Sequence, residues 1–230
     1  KSGNIALGRN SLGGQTSDVS YCIAIGDGAL ASQNADVKNT AIGGLAGDAI
    51  SSGTRNTVVG YYAGRHFSSS VDNTVVGNYA FAKGNAGGNT VIGASAGSSN
   101  YGAGTAMSGA DNVIVGYQSG FTLTDGPGNV LIGKGAGYAM TTGDYNVAIG
   151  YQAADGLAGN ADHNISIGSN SLGGCTAATS SNIAIGTGTL ESASYAAAAI
   201  NLAIGRSAGN AITSGTKNVL IGHEAGSTLA

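Results

Sequence analysis

The chain has 230 residues, 42 of them glycine, with a single proline (Pro127), no tryptophan and only 9% charged residues, against roughly a quarter charged and about 7% glycine in an ordinary globular domain. Glycine does not recur at every third place, which excludes collagen, and a 42% hydrophobic fraction is too high for a disordered linker. A net charge of −3 without any run of lysine or arginine argues against nucleic acid as a partner, and no stretch approaches the roughly 18 apolar residues of a membrane-spanning helix, so no membrane insertion is expected.

One five-residue phrase, Asn-aliphatic-x-aliphatic-Gly, recurs thirteen times. It opens as Asn4-Ile-Ala-Leu-Gly8, returns as Cys22-Ile-Ala-Ile-Gly26 and Asn39-Thr-Ala-Ile-Gly43, and then closes successively at Gly60, Gly77, Gly93, Gly116, Gly133, Gly150, Gly168, Gly186, Gly205 and Gly222. Successive glycines are 16 to 19 residues apart, except for one gap of 23 before Gly116. The residue before the glycine is always Leu, Ile or Val, and the third residue after it is always Ala, Ser or Thr. Each phrase reads as a short strand rich in β-branched residues, ended by a glycine where the chain turns or passes close to another backbone. Such a unit cannot bury its own apolar face, whereas parallel stacking of equivalent strands at about 4.8 Å buries a continuous column. The expectation is an all-β chain: a parallel β-solenoid of about 13 rungs of about 17 residues, forming one repeat domain over 1–230. The pattern begins and ends within the repeat, which predicts a fragment of a longer fibrous chain.

Asparagine opens twelve of the thirteen phrases. Stacked amides bond along a solenoid axis and satisfy turn backbone, which predicts a structural ladder through Asn39, Asn56, Asn73, Asn89, Asn112, Asn129, Asn146, Asn164, Asn182, Asn201 and Asn218. A row of ligand-binding amides is the alternative for this column. Cys22 stands in for asparagine on one rung and should lose two bonds there.

Strand alternation places the first and third residues after the asparagine on one face and the second on the other. The third is always aliphatic, and the second is apolar in every phrase except at Ser166. A strand apolar on both faces is buried on both, but a slim rung has a single interior. The other face therefore needs a partner, most directly further copies of the same chain, and an obligate homo-oligomer is expected.

The phrases Asn146-Val-Ala-Ile-Gly-Tyr-Gln-Ala153 and Asn218-Val-Leu-Ile-Gly-His-Glu-Ala-Gly226 resemble two repeat groups. One is the head of trimeric autotransporter adhesins, whose shorter Val-Ala-Ile-Gly-x-x-Ala repeat folds as a trimeric left-handed parallel β-roll. The other, more similar in its opening asparagine, its period and its Thr-Thr-Gly type of connector, is the repeat region of phage and prophage tail fibres. This resemblance implies a left-handed β-roll type of solenoid and a homotrimeric rod. It also implies an extracellular location on a virion and a role as a structural fibre or adhesin module presenting loops to host-surface glycans. The alternative is the head of an autotransporter adhesin on a bacterial cell surface.

Chemistry is sparse. Asp144 and Asp162, each two residues before its asparagine on neighbouring rungs, form the best carboxylate pair for glycosidase chemistry, yet both read as solvated connector charges. His66, His163 and His223 sit at different phases of the repeat and cannot make a metal column; Asp162-His163 reads as a surface polar pair. Gly133-Lys-Gly-Ala-Gly137 looks like part of a phosphate loop but lacks its Lys-Ser/Thr ending. No enzymatic activity and no cofactor or metal are expected. Cys22 and Cys175 lie about eight rungs apart, on the order of 40 Å, which predicts two free thiols. Thr40, Thr57, Thr74 and Thr90 share one column and read as a buried threonine ladder. Tyr61, Tyr117 and Tyr151 directly follow the turn glycine, in a column that tolerates every residue type and so faces solvent. Exposed tyrosines can stack on sugar rings. With Tyr101 and Tyr195, in the long connectors 98–111 and 187–200, they are the candidate glycan-binding residues.

Overall fold

The computed structural model describes residues 3–14, 19–34, 38–98, 107–175, 179–191, 200–212 and 215–227. Every phrase forms a three-residue strand: β1 (Ile5–Leu7), β2 (Ile23–Ile25), β3 (Thr40–Ile42), β4 (Thr57–Val59), β5 (Thr74–Val76), β6 (Thr90–Ile92), β7 (Val113–Val115), β8 (Val130–Ile132), β9 (Val147–Ile149), β10 (Ile165–Ile167), β11 (Ile183–Ile185), β12 (Leu202–Ile204) and β13 (Val219–Ile221). The chain forms two compact units, Lys1–Asn112 and Val113–Ala230, and the same phrase builds both. Within the first unit, β1 to β6 pair in parallel in chain order; within the second, β7 to β13 do the same. Register is fixed phrase on phrase, as in Thr40 against Thr57 against Thr74. Each unit is thus an all-β parallel solenoid, as the repeat predicts. Among the described residues no helix is long and apolar enough to cross a membrane.

The interior is built from three columns. The middle residue of each strand points inward: Ala24, Ala41, Val58, Val75 and Val91 in the first unit, Ile114, Leu131, Ala148, Ser166, Ala184 and Ala203 in the second, all fully buried. Facing them is the small residue after the turn, for example Ala46, Ala63, Ala136 and Ala153. Its N–H closes the turn onto the glycine carbonyl, as Ala63 does on Gly60 at 3.3 Å. The third column alternates between two positions, four and seven residues after the strand glycine. Where the fourth is glycine, the seventh is large and buried, as in Gly47 with Ile50, Gly64 with Phe67, Gly120 with Leu123, Gly137 with Met140 and Gly209 with Ile212. Where the fourth is large and apolar, the seventh is small, as in Phe81 with Gly84 and Leu172 with Cys175, or a buried amide, as in Leu30 with Gln33.

The strand glycines are required by close approach. Gly60 has φ 135°, and a Cβ there would lie 2.4 Å from the carbonyl oxygen of Gly77 on the next rung. Other turn positions are left-handed without being glycine, including Tyr62 (φ 58°), Tyr79 (φ 55°) and Lys217 (φ 60°). Bonds between rungs hold that conformation: Tyr62 N–H donates to Gly44 O at 3.0 Å and Tyr79 N–H to Tyr61 O at 2.9 Å.

The asparagines form hydrogen-bonded columns inside each unit. Asn56 Oδ1 accepts from the backbone N–H of Asn73 at 3.1 Å and from its Nδ2 at 3.0 Å, while Asn56 Nδ2 donates to Ser70 O at 2.8 Å. In the second unit Asn146 Oδ1 accepts both donors of Asn164 in the same way, and Asn146 Nδ2 donates to Ala161 O. Asn39, Asn89, Asn112, Asn129, Asn182, Asn201 and Asn218 make bonds of the same type within their units. The expected deficit at Cys22 is partly made good. Cys22 N–H still donates to Asn4 Oδ1, and the buried Gln33 supplies the acceptor for Asn39 Nδ2 at 2.8 Å.

The threonines do form a ladder, in register from Thr40 to Thr90, but a single chain does not bury it. Thr57 and Thr74 are exposed, and Thr40 and Thr90 half-buried, in the single chain. Alternation turns the first and third strand residues outward, because the narrow interior between the middle residue and the corner alanine has room for one side chain per strand.

Candidate functional site

Three surfaces follow from this frame. The first is the outer face of the strands. It carries the invariant aliphatic residue of every phrase, yet a single chain leaves it open: Ile42 is 38% exposed, Ile92 39% and Ile149 36%. In the second unit both outward positions are aliphatic in every strand, from Val113 and Val115 to Val219 and Ile221. Near its last strands, Ile183, Ile200, Leu202 and Val219 line an apolar depression.

The second surface is the column just after the strand glycine. Tyr61 is 45% exposed, Tyr117 50% and Tyr151 49%. In the first unit Tyr61 meets Tyr62 and Tyr79 edge-on, with ring centroids at 4.2 and 5.6 Å. Tyr62 stacks on Tyr79 at 5.2 Å, and the guanidinium carbon of Arg65 lies 4.4 Å from the Tyr62 ring centre. The stack arises because both tyrosines occupy the left-handed turn position on successive rungs, where parallel stacking holds equivalent side chains about 4.8 Å apart. Tyr62 and Tyr79 were not among the expected site residues; their shared place, two after the glycine, was the available signal. In the second unit Lys134 lies on the rung between Tyr117 and Tyr151, its Nζ 6.0 and 5.6 Å from their ring centres. Tyr101 and Tyr195 lie outside the described residues.

Beside this second-unit column runs a polar groove. Gln118, Lys134, Tyr138, Gln152 and Asp155 line one stretch. Gln152, Asp155, Asn170, Gly173, Gly174 and Glu191 line the next, so that Gln152 and Asp155 are common to both. Desolvation pushes the Asp155 carboxyl above the ordinary range, against the pull of the Asp155 and Gly156 N–H groups, and the Glu191 charge adds to the rise. Asn170 Nδ2 donates to Glu191 Oε1 at 3.3 Å.

The third surface is an acidic cluster of Asp125, Asp144 and Asp162, in a depression completed by Pro127, Thr142 and Asn160. The expected pair is brought together, but as part of the connector. Asp162 Oδ1 accepts the Asp144 backbone N–H at 3.0 Å, and Asp162 N–H donates to Ser180 Oγ. Desolvation, then the Asp162 and Asp125 charges, push the Asp144 carboxyl up, with His163 acting in the opposite sense. His163 packs against the Tyr145 ring, centroids 5.5 Å apart. Among the described residues no group of three His, Cys, Asp or Glu side chains is placed to hold a metal ion. Cys22 and Cys175 are both buried free thiols, and burial pushes Cys175 up to about 12.

The chain matches no protein-family model, no curated protein and no solved structure.

Proposed function

We propose that the chain is a homotrimeric structural fibre and adhesin module, carried outside the cell on a phage tail fibre, whose corner turns and connectors face host-surface glycans. The observation that carries this reading is the outer strand face. Its third-position aliphatic residue recurs on every rung although a single chain leaves that column partly open to water, whereas the neighbouring turn column carries Arg9, Asp27, Tyr61, Tyr117, Lys134 and His223. A contiguous apolar surface of that extent marks an association site, and identical rungs on each copy make it self-complementary. The threefold order and the virion setting come from the resemblance of the Asn-aliphatic-x-aliphatic-Gly repeat to tail-fibre and trimeric adhesin repeats. The role is mechanical and adhesive, without catalysis. Sedimentation equilibrium tests it: three times the 22.1 kDa chain mass is the expected result, and a stable monomer at micromolar concentration overturns it.

A further inference from the structure

We infer that the groove of the second unit lined by Lys134, Gln152, Asp155 and Asn170, together with Tyr117 and Tyr151 in the turn column beside it, binds a neutral oligosaccharide lying along the stacking direction; this rests on the adhesive reading above.

Three observations converge on it. Tyr117 and Tyr151 are the two rings of this column in the second unit, two rungs and so about 10 Å apart, and each stays about half exposed. The rung between them carries Lys134, whose Nζ approaches both rings. The tyrosines are therefore spaced by a flexible cation and do not stack on each other as Tyr62 does on Tyr79, which leaves two separate aromatic platforms for the apolar faces of sugar rings. Alongside them, Gln152 and Asp155 line both stretches of the groove, and Asn170 follows. Planar amides such as Gln152 and Asn170 both donate to and accept from vicinal hydroxyls, and the Asp155 carboxylate accepts from them.

Charge selects the ligand class. Lys134 is opposed by Asp155 and by Glu191 at the far end of the groove, so an acidic sugar chain meets repulsion from two carboxylates against one ammonium. A neutral, polyhydroxylated chain fits both the platforms and the polar wall.

The test uses the full chain on a printed array of neutral and uronic-acid oligosaccharides, followed by calorimetric titration of the tightest-binding neutral member against three variants. Tyr151→Ala and Gln152→Ala are each expected to weaken binding about tenfold or more, and Thr57→Ala, exposed on a first-unit strand, to leave it unchanged. These are surface changes, and circular dichroism melts coinciding with the parent establish that folding is intact. Binding that survives Tyr151→Ala and Gln152→Ala overturns this site while leaving the adhesive reading standing. Retention of uronic-acid chains alone overturns the ligand class. No retention of any glycan overturns both the site and the adhesive reading, while sedimentation separately decides the fibre assembly.

Discussion

The ring of Phe81 fills the space directly over Gly84: a Cβ added to Gly84 would lie 1.9 Å from Phe81 Cε2. One rung earlier the arrangement is reversed, with Gly64 at the turn and Phe67 three residues on, and the two phenyl rings meet edge-on at 5.0 Å. On these two rungs the same interior volume is filled from one position or the other. Gly84→Leu is therefore expected to overpack the rung and cost about 1–3 kcal/mol, read by denaturant unfolding. The exchanged pair Phe81→Gly with Gly84→Phe, which copies the Gly64–Phe67 rung, should recover most of that loss. An exchanged variant no more stable than Gly84→Leu alone would show that the positions are not interchangeable.

Cys22 and Gln33 are coupled in a comparable way, through hydrogen bonds. Gln33 is fully buried, accepts from Asn39 Nδ2 and donates to Ser51 O at 3.0 Å. Gln33→Leu takes one of two acceptors from the buried Asn39 amide, which keeps Gly53 O, while the half-buried Ser51 carbonyl keeps the Asn34 N–H, at a cost of about 1 kcal/mol or more. Adding Cys22→Asn restores a ladder acceptor beneath Asn39, so the double variant should be more stable than Gln33→Leu alone. Additive losses in a double-mutant cycle would break the proposed coupling.

Asn56→Ala, on a regular rung, removes the acceptor of both Asn73 donors and the donor to Ser70 O. Asn73 Nδ2 keeps Val71 O and Ala86 O, so the Asn73 N–H and Ser70 O are the groups left unpaired, and at about 1–3 kcal/mol each a loss of at least about 2 kcal/mol is expected. A cost below about 1 kcal/mol would mean that the ladder holds little.

Strand positions, the stacking principle and the glycine close approach were all legible in the sequence because each repeats in one column with one chemistry. The exchange between Phe81 and Gly84, or Leu172 and Cys175, was not, since each of the two positions varies freely by itself and only their sum is constrained. Gln33 was hidden for the same reason: it sits in the column that elsewhere holds Ile50 and Phe67, and its amide makes sense only beside Cys22. The threonine column was legible as a ladder, but not that it lies outside the solenoid, because a β-branched residue beside an invariant isoleucine looks like core. Geometry puts both on the outer face. At the candidate site the exposed tyrosines could be read from the permissive column, whereas the groove past Gln152 and Asp155 depends on left-handed turns that no motif announces.

Those turns give a further test. Lys217 is exposed and left-handed at φ 60°, a conformation asparagine tolerates and β-branched residues resist. Lys217→Asn should raise unfolding stability by about 0.5 kcal/mol, and Lys217→Val lower it by about 1 kcal/mol or more. The reverse order would contradict the turn geometry.

Asp155 sets an expected pH dependence. Its native carboxyl is held above its ordinary value, chiefly by desolvation, so the folded state binds the proton more tightly than the unfolded chain. The ionised form is thus a cost to the fold, absent below the ordinary carboxylate value and fully present above the raised native one. Asp155→Asn should raise the melting temperature at pH 7 and converge with the parent near pH 3. Melting curves offset equally at both pH values would refute this linkage.

The outer strand face separates folding from assembly. Ile149 points outward at the end of β9, while its neighbour Ala148 is fully buried inside. In the single chain Ile149→Lys places an ammonium in water, so each unit should keep its strands and its circular dichroism. In the proposed trimer the same change puts three like charges into an apolar contact, where an unpaired buried charge costs several kcal/mol. A loss of about 4 kcal/mol weakens association about a thousandfold, visible by sedimentation as monomer at concentrations where the parent is trimeric. Ala148→Lys is the opposite case: it drives the charge into the solenoid interior and should abolish folding before assembly can be measured. Unchanged sedimentation of a folded Ile149→Lys chain would remove the outer strand face as the assembly surface.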